Sequence, residues 1–112
     1  MPHENSKECI EACLACATIC HHCAASCLQE KDVTHLAGCI QLDIECAAIC
    51  ETTAKVMSIN GHLSGELCSL CVDICNRCAG ECEKHVQMDH CRECAEAAII
   101  AQGSVPGWYL HN

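Results

Sequence analysis

The stretch from residue 9 to residue 27, CIEACLACATICHHCAASC, places cysteine at positions 9, 13, 16, 20, 23 and 27. The intervals are 4, 3, 4, 3 and 4, the alternation that keeps one stripe of an α-helix turned toward a partner. Every seam position of this helix is therefore sulfur. The same spacing returns at Cys68, Cys71, Cys75, Cys78 and Cys82, and more thinly at Cys39, Cys46 and Cys50 and at Cys91 and Cys94. All sixteen cysteines fall on these four stripes.

Turn and cap chemistry lies between the stripes. Asn5 and Glu8 have capping-box spacing, Asp32 or Thr34 can cap a second helix, and Asp89 a fourth. Asn60-Gly61 breaks the chain before the third stripe, and Gly103 with Pro106 ends the fourth. The pattern predicts helices over residues 5–29, 33–59, 63–86 and 89–102 of one 112-residue domain. Short links between four amphipathic helices predict an all-α, antiparallel up-down-up-down four-helix bundle with a cysteine-lined core. The tail, 103–112, holds the only aromatics, Trp108 and Tyr109, and is expected to fold back over apolar surface.

Composition gives the stripes their weight. Phe is absent and Leu, Ile and Val total 22 residues, close to the point where burial of hydrocarbon no longer holds a chain together. A Cys at a core position gives up most of the roughly 1.5–3 kcal/mol that a buried Leu or Ile supplies. Repeated sixteen times, that sacrifice requires a chemical reason. The net charge of −9, from 6 basic and 15 acidic residues, opposes nucleic-acid binding. No uncharged apolar run approaches the roughly 20 residues that span a bilayer, so no membrane partner is expected. The amino terminus lacks the basic and apolar regions of a secretory signal, which predicts a cytoplasmic protein with reduced thiols. Disulfides between helices are geometrically possible but disfavoured by that compartment, and within a helix they would be strained. Neighbours on one helix hold their Cβ atoms about 5–6 Å apart, against about 3.5–4.5 Å in a disulfide.

Soft sulfur ligands select Cu(I), Zn(II) or iron-sulfur clusters. The C-x2-C-x2-C run of ferredoxins is missing, since Ile19 follows the Cys13/Cys16 pair and Ile74 the Cys68/Cys71 pair. Four Zn(II) on sixteen thiolates would leave a buried formal charge of about −8. Cu(I) matches both charge and spacing: sixteen ions neutralise sixteen thiolates, and near-linear S–Cu–S coordination needs sulfurs roughly 4.5 Å apart, within reach of an i, i+4 pair. Six C-x3-C pairs and five C-x2-C pairs are present. Loading would release protons and stiffen the bundle.

On these stripes the sequence resembles the copper storage proteins of bacteria, four-helix bundles with cores lined by cysteine. The resemblance covers about residues 5 to 102 and is nearest the cytosolic branch. It implies a homotetramer, multiple Cu(I) ions as the bound partner, and storage without enzymatic activity. A metallothionein-like sink for Zn(II) or other soft metals is the alternative, followed by an iron-sulfur electron carrier. A thiol oxidoreductase is weakest, because no strand precedes a C-x2-C.

The two mouths of such a bundle differ. One gathers Cys27, His35, Cys39, Cys82, His85, Met88, His90 and Cys91; the other gathers Cys9, Met57, His62 and Cys68, closed by Ala98 and Ala101. His85 continues the third stripe and is the histidine taken as an additional metal ligand, at the mouth where copper is expected to enter. His35, His90 and Met88 are read as solvated sooner than as ligands. Asp43 interrupts the second stripe between Cys39 and Cys46, and a small rotation presenting Leu42 in its place is expected. Met57 reads as a flexible core plug, with a thioether ligand as the alternative. The broad apolar flanks of the second helix fit either a subunit interface or contact with both adjacent helices.

Overall fold

Helix α1 runs Pro2–Leu28 and α2 runs Ala37–Ser58, entered through a 3-10 turn at Val33–Leu36. Helix α3 runs Ser64–Cys82 and extends through a second such turn, Glu83–His85, while α4 runs Asp89–Ser104. A last turn at Gly107–Leu110 follows. This computed structural model describes the backbone of residues 2–110 and the side chains of residues 6–110.

Neighbouring helices are antiparallel, as sulfur partners show. Along α1, Cys20 meets Cys94 and Cys27 meets Cys91 of α4, while along α2, Cys39 meets Cys82 and Cys50 meets Cys71 of α3. Partner numbers fall on one helix as they rise on the other, and α4 closes the ring against α1. The bundle measures 47 × 19 × 19 Å.

All sixteen cysteines are fully buried and none is in a disulfide. The buried polar residues continue the stripes at heptad spacing: Ser6 on α1, Asp43 and Thr53 on α2, Ser64 and then His85 along α3. Hydrocarbon packs beside the sulfur. Leu36, Ile74, Ala17, Ala47, Ala79 and Ala95 are buried, and Ile10, Ile19, Ile40 and Ile49 flank them. The small alanines let the helices approach closely.

Helix ends differ from the sequence expectation. Because α1 begins at Pro2, where a missing N–H is harmless, Asn5 lies inside the helix; its side chain falls outside the described residues. Asp89 is the first residue of α4 and pairs with Arg92 at 2.9 Å instead of capping. Gly103 is helical, so α4 extends to Ser104. The Asn60-Gly61 break is a Schellman-type end: Gly61 N–H donates to the Val56 carbonyl at 2.9 Å and Asn60 N–H to that of Met57 at 3.0 Å. Asn60 takes the left-handed conformation, φ 51°. Gly61 is required for space, since a Cβ there would come within 2.6 Å of Val56 Cγ1.

The tail does fold back. Val105 is buried, Tyr109 packs on the core, and its hydroxyl lies 3.5 Å from Ser6 Oγ. Ser6–Leu28 and Val33–Ser58 are nonetheless long and apolar enough to cross a membrane by length and composition, with mean hydropathy 1.3. Asp43 interrupts the second of these, but residues 12–29 of the first carry no Asp, Glu, Lys or Arg, so an uncharged run nearer to spanning length is present than the sequence reading allowed. Much of their hydropathy is cysteine, which faces the bundle interior.

Candidate metal centre

The four stripes converge into a ladder of donor clusters along the axis, each with its donor atoms within 4.8 Å of one another. From the histidine-bearing mouth inward they are Cys23/Cys27/His90/Cys91, Cys23/Cys39/Asp43/Cys82, Cys20/Asp43/Cys78/Cys94, Cys16/Cys46/Cys50/Cys75 and Cys13/Cys50/Cys71. Cys9 and Cys68 lie beyond the last of these.

Within helices, the C-x3-C pairs Cys9/Cys13, Cys16/Cys20, Cys46/Cys50 and Cys71/Cys75 each stand at 3.9 Å. Between helices the contacts are as short: Cys39–Cys82 at 3.5 Å, Cys20–Cys94 at 3.6 Å and Cys50–Cys75 at 3.7 Å. Cys13 reaches Cys71 across the bundle diagonal at 3.7 Å. With metal-sulfur bonds of about 2.3 Å, two ligands lie about 3.8 Å apart around a tetrahedral ion, about 4.0 Å around a trigonal one and about 4.6 Å around a linear one. The core is thus spaced for single soft ions, and a small outward movement of each pair admits linear coordination. Donors so close surround one ion, not a cube of four irons.

Cys23, Cys50 and Asp43 each belong to two clusters. Full occupancy therefore requires bridging ligands, as when each thiolate serves two Cu(I). Isolated closed Zn(II) sites share no ligands.

Asp43 corrects the sequence reading. It is fully buried, so the second stripe faces inward through Asp43 and Leu42 lies to the side. Its Oδ1 accepts from the thiols of Cys94 at 3.2 Å and Cys78 at 3.3 Å. Desolvation, followed by the hydrogen bond with Cys23, pushes its carboxyl up to about 9, so without metal it is protonated at neutral pH. The signal was present, since Asp43 turns the spacing of Cys39, Cys46 and Cys50 into the 4, 3, 4 of the other helices.

The thiols hold one another's protons. Hydrogen bonds from Cys20 and then Cys46 lower Cys16, and the bond to Cys16 raises Cys20. Burial, ahead of repulsion from Cys23 and Cys91, raises Cys27 at the mouth. Burial with the Cys23 charge pushes Cys91 up to about 11. Metal binding at neutral pH must displace these protons.

His85 turns toward Glu81, and His90 is the histidine that faces the thiols. The buried His85 imidazole lies 3.4 Å from Glu81 Oε2 and edge-on to the His35 ring at 5.3 Å. It joins none of the donor clusters among the described residues. His90 turns Nδ1 toward Cys23 and Cys91, each at 3.6 Å, and Cys27 at 3.8 Å. Its Nε2 lies 3.1 Å from Glu30 Oε2. Donation from Nε2–H to Glu30 leaves Nδ1 with a lone pair facing the thiols, the tautomer a metal ligand needs. Burial alone would lower the His90 pKa, but its bonds to Cys23 and Glu30 outweigh that and raise it. Sequence gave only a weak hint: His90 is in the first turn of α4, where side chains point back toward the helix start. A cavity of about 510 Å³ opens outside this mouth, lined in part by Glu30, His35, His85 and Met88.

A model of copper storage proteins matches residues 2–102. The chain belongs to the copper storage protein family. Among its relatives, the uncharacterized cysteine-rich protein YhjQ of Bacillus subtilis (strain 168) is 49% identical over 92 residues, spanning 82% of this chain and 84% of that protein. The structure of the Cu(I)-bound copper storage protein BsCsp3 is 44% identical with a TM-score of 0.85, covering 90% of this chain and 94% of that one. A cytosolic copper storage protein from Streptomyces lividans, solved with five coppers, is 36% identical with a TM-score of 0.90, covering 99% of this chain and 96% of that one. For a copper storage protein, the core is the cargo hold and the protein's packing at once.

Proposed function

We propose that this protein stores Cu(I) in the cytosol, binding many ions together on the sixteen core thiolates and catalysing no reaction. One observation carries the reading: the buried thiols form a continuous ladder whose clusters share ligands. A binding site for one structural ion would need four of them. The relatives solved as Cu(I)-bound and with five coppers support the same cargo. The proposed ligands are the cysteines named above, with His90 as the first donor met from outside. His85, beside the same mouth, orders Glu81 and the approach. Exposed Leu14, Ile44, Leu70, Ile99 and Ile100 support assembly into the homotetramer that the resemblance implies.

Anaerobic titration of reduced protein with Cu(I) against a competing chelator tests this. Binding of more than about eight ions per chain is expected, because paired thiolates alone set that count. Saturation at one or two refutes storage. Far-UV circular dichroism of metal-free protein separates the metallothionein-like alternative: a helical spectrum is expected, and an unstructured one favours the alternative.

A further inference from the structure

At the mouth opposite His90, α1 contributes Cys9 and α3 contributes Cys68, but α4 turns only Ala98 and Ala101 inward. The clusters of cysteine, histidine and carboxylate donors stop short of both thiols. Met57 occupies the vacant donor direction. It lies one heptad beyond Cys50 on α2, its side chain is 4% exposed, and the Cys68 thiol donates to its Sδ at 3.6 Å. Cys9 stands 3.9 Å from Cys13, which belongs to the last cluster, so the ladder is continuous to this end.

We propose that Met57 Sδ is a metal ligand, completing with Cys68 and Cys9 a terminal Cu(I) site of mixed thioether and thiolate donors. The 3.6 Å separation is close to the about 4.0 Å between two ligands of a trigonal ion, and a thioether is a soft donor suited to Cu(I). The site is electrically balanced without a further thiol. Two thiolates shared along the ladder and a neutral thioether hold the last cation without adding buried negative charge. Phe is absent and other hydrocarbon is scarce, yet the one buried methionine among the described residues stands where a plain plug could have been leucine.

This inference rests on the storage reading, and Met57→Leu separates the two. Leucine keeps the volume and apolar character and so preserves packing, but it cannot coordinate. The variant should match wild type in metal-free helicity and melting midpoint and saturate at about one Cu(I) fewer per chain in the same chelator competition. A plateau and affinity equal to wild type would overturn the site while leaving storage intact, whereas one or two ions on wild type would refute storage itself. A second measurement needs no variant to fold. In protein labelled with ¹³C at methionine methyls, one buried methyl resonance should shift as the last equivalents bind. If the Met57 resonance is unmoved at saturation, the assignment fails.

Discussion

The Cys94 thiol of α4 donates to Asp43 Oδ1 of α2 at 3.2 Å, joining two helices that face one another across the bundle axis. Cys78 of α3 donates to the same oxygen at 3.3 Å, so one buried carboxyl ties three helices at mid-height. The folded carboxyl holds its proton up to about pH 9, against a reference value of 3.8. Between those values the folded chain binds a proton that the unfolded chain has lost, and stability falls as pH rises. Asn cannot ionise but keeps an accepting oxygen. Metal-free wild type should therefore lose several °C of melting midpoint relative to Asp43→Asn between about pH 5 and pH 8. Parallel curves would contradict this protonation.

His90 faces three thiols through Nδ1, and His85 faces Glu81. His90→Ala should slow Cu(I) uptake several-fold while barely changing the final count, as one first donor is lost from many ligands. His85→Ala should slow it less, and His62→Ala, exposed at the far mouth, should not slow it. Stopped-flow uptake from a Cu(I) chelate orders the three variants.

Cysteine intervals made the bundle legible because each stripe repeats one residue type at heptad spacing. Asp43, Thr53, Ser64 and His85 occupy the same stripes, but a polar residue on a seam reads as an interruption until packing shows it facing inward. Half a residue of helix rotation decides between Asp43 and Leu42, and periodicity does not resolve that. His90 was hidden for another reason. Its role depends on the junction between α1 and α4 and on Glu30, sixty positions away, which no local pattern encodes. The start of α4 at Asp89 matches the expected range, but Asp89 is the first helical residue and pairs with Arg92 instead of capping, which composition alone does not distinguish.

The α2–α3 link should tolerate little at Gly61, where an added Cβ meets Val56 Cγ1 at 2.6 Å and the Val56 carbonyl at 3.1 Å. Gly61→Ala should destabilise the metal-free protein by about 1–2 kcal/mol. Gly80, exposed within α3 with nothing near its Cβ position, is the control: Gly80→Ala should stabilise by about 0.5–1 kcal/mol. Chemical denaturation gives both values, and equal effects would argue against the close approach.

Leu36, 2% exposed at the entrance to α2, is the most buried leucine. If flanking hydrocarbon holds the empty tube together, Leu36→Ala should cost about 2–4 kcal/mol in the metal-free state. The loss should shrink on loading, because metal bound only to the folded state adds stability of its own. Thermal melts with and without Cu(I) compare the two; an equal loss in both would place the cohesion of the empty bundle elsewhere.

Sixteen buried thiols are proposed to exchange protons for Cu(I) within one neutral core. Native mass spectrometry of the anaerobically loaded protein reads both quantities at once, since each copper bound to thiolate adds its mass and removes one proton. A folded species carrying more than about eight coppers, with close to one proton lost per copper, is the expected result. A species that stops at one or two coppers, or that gains coppers without losing protons, would contradict it.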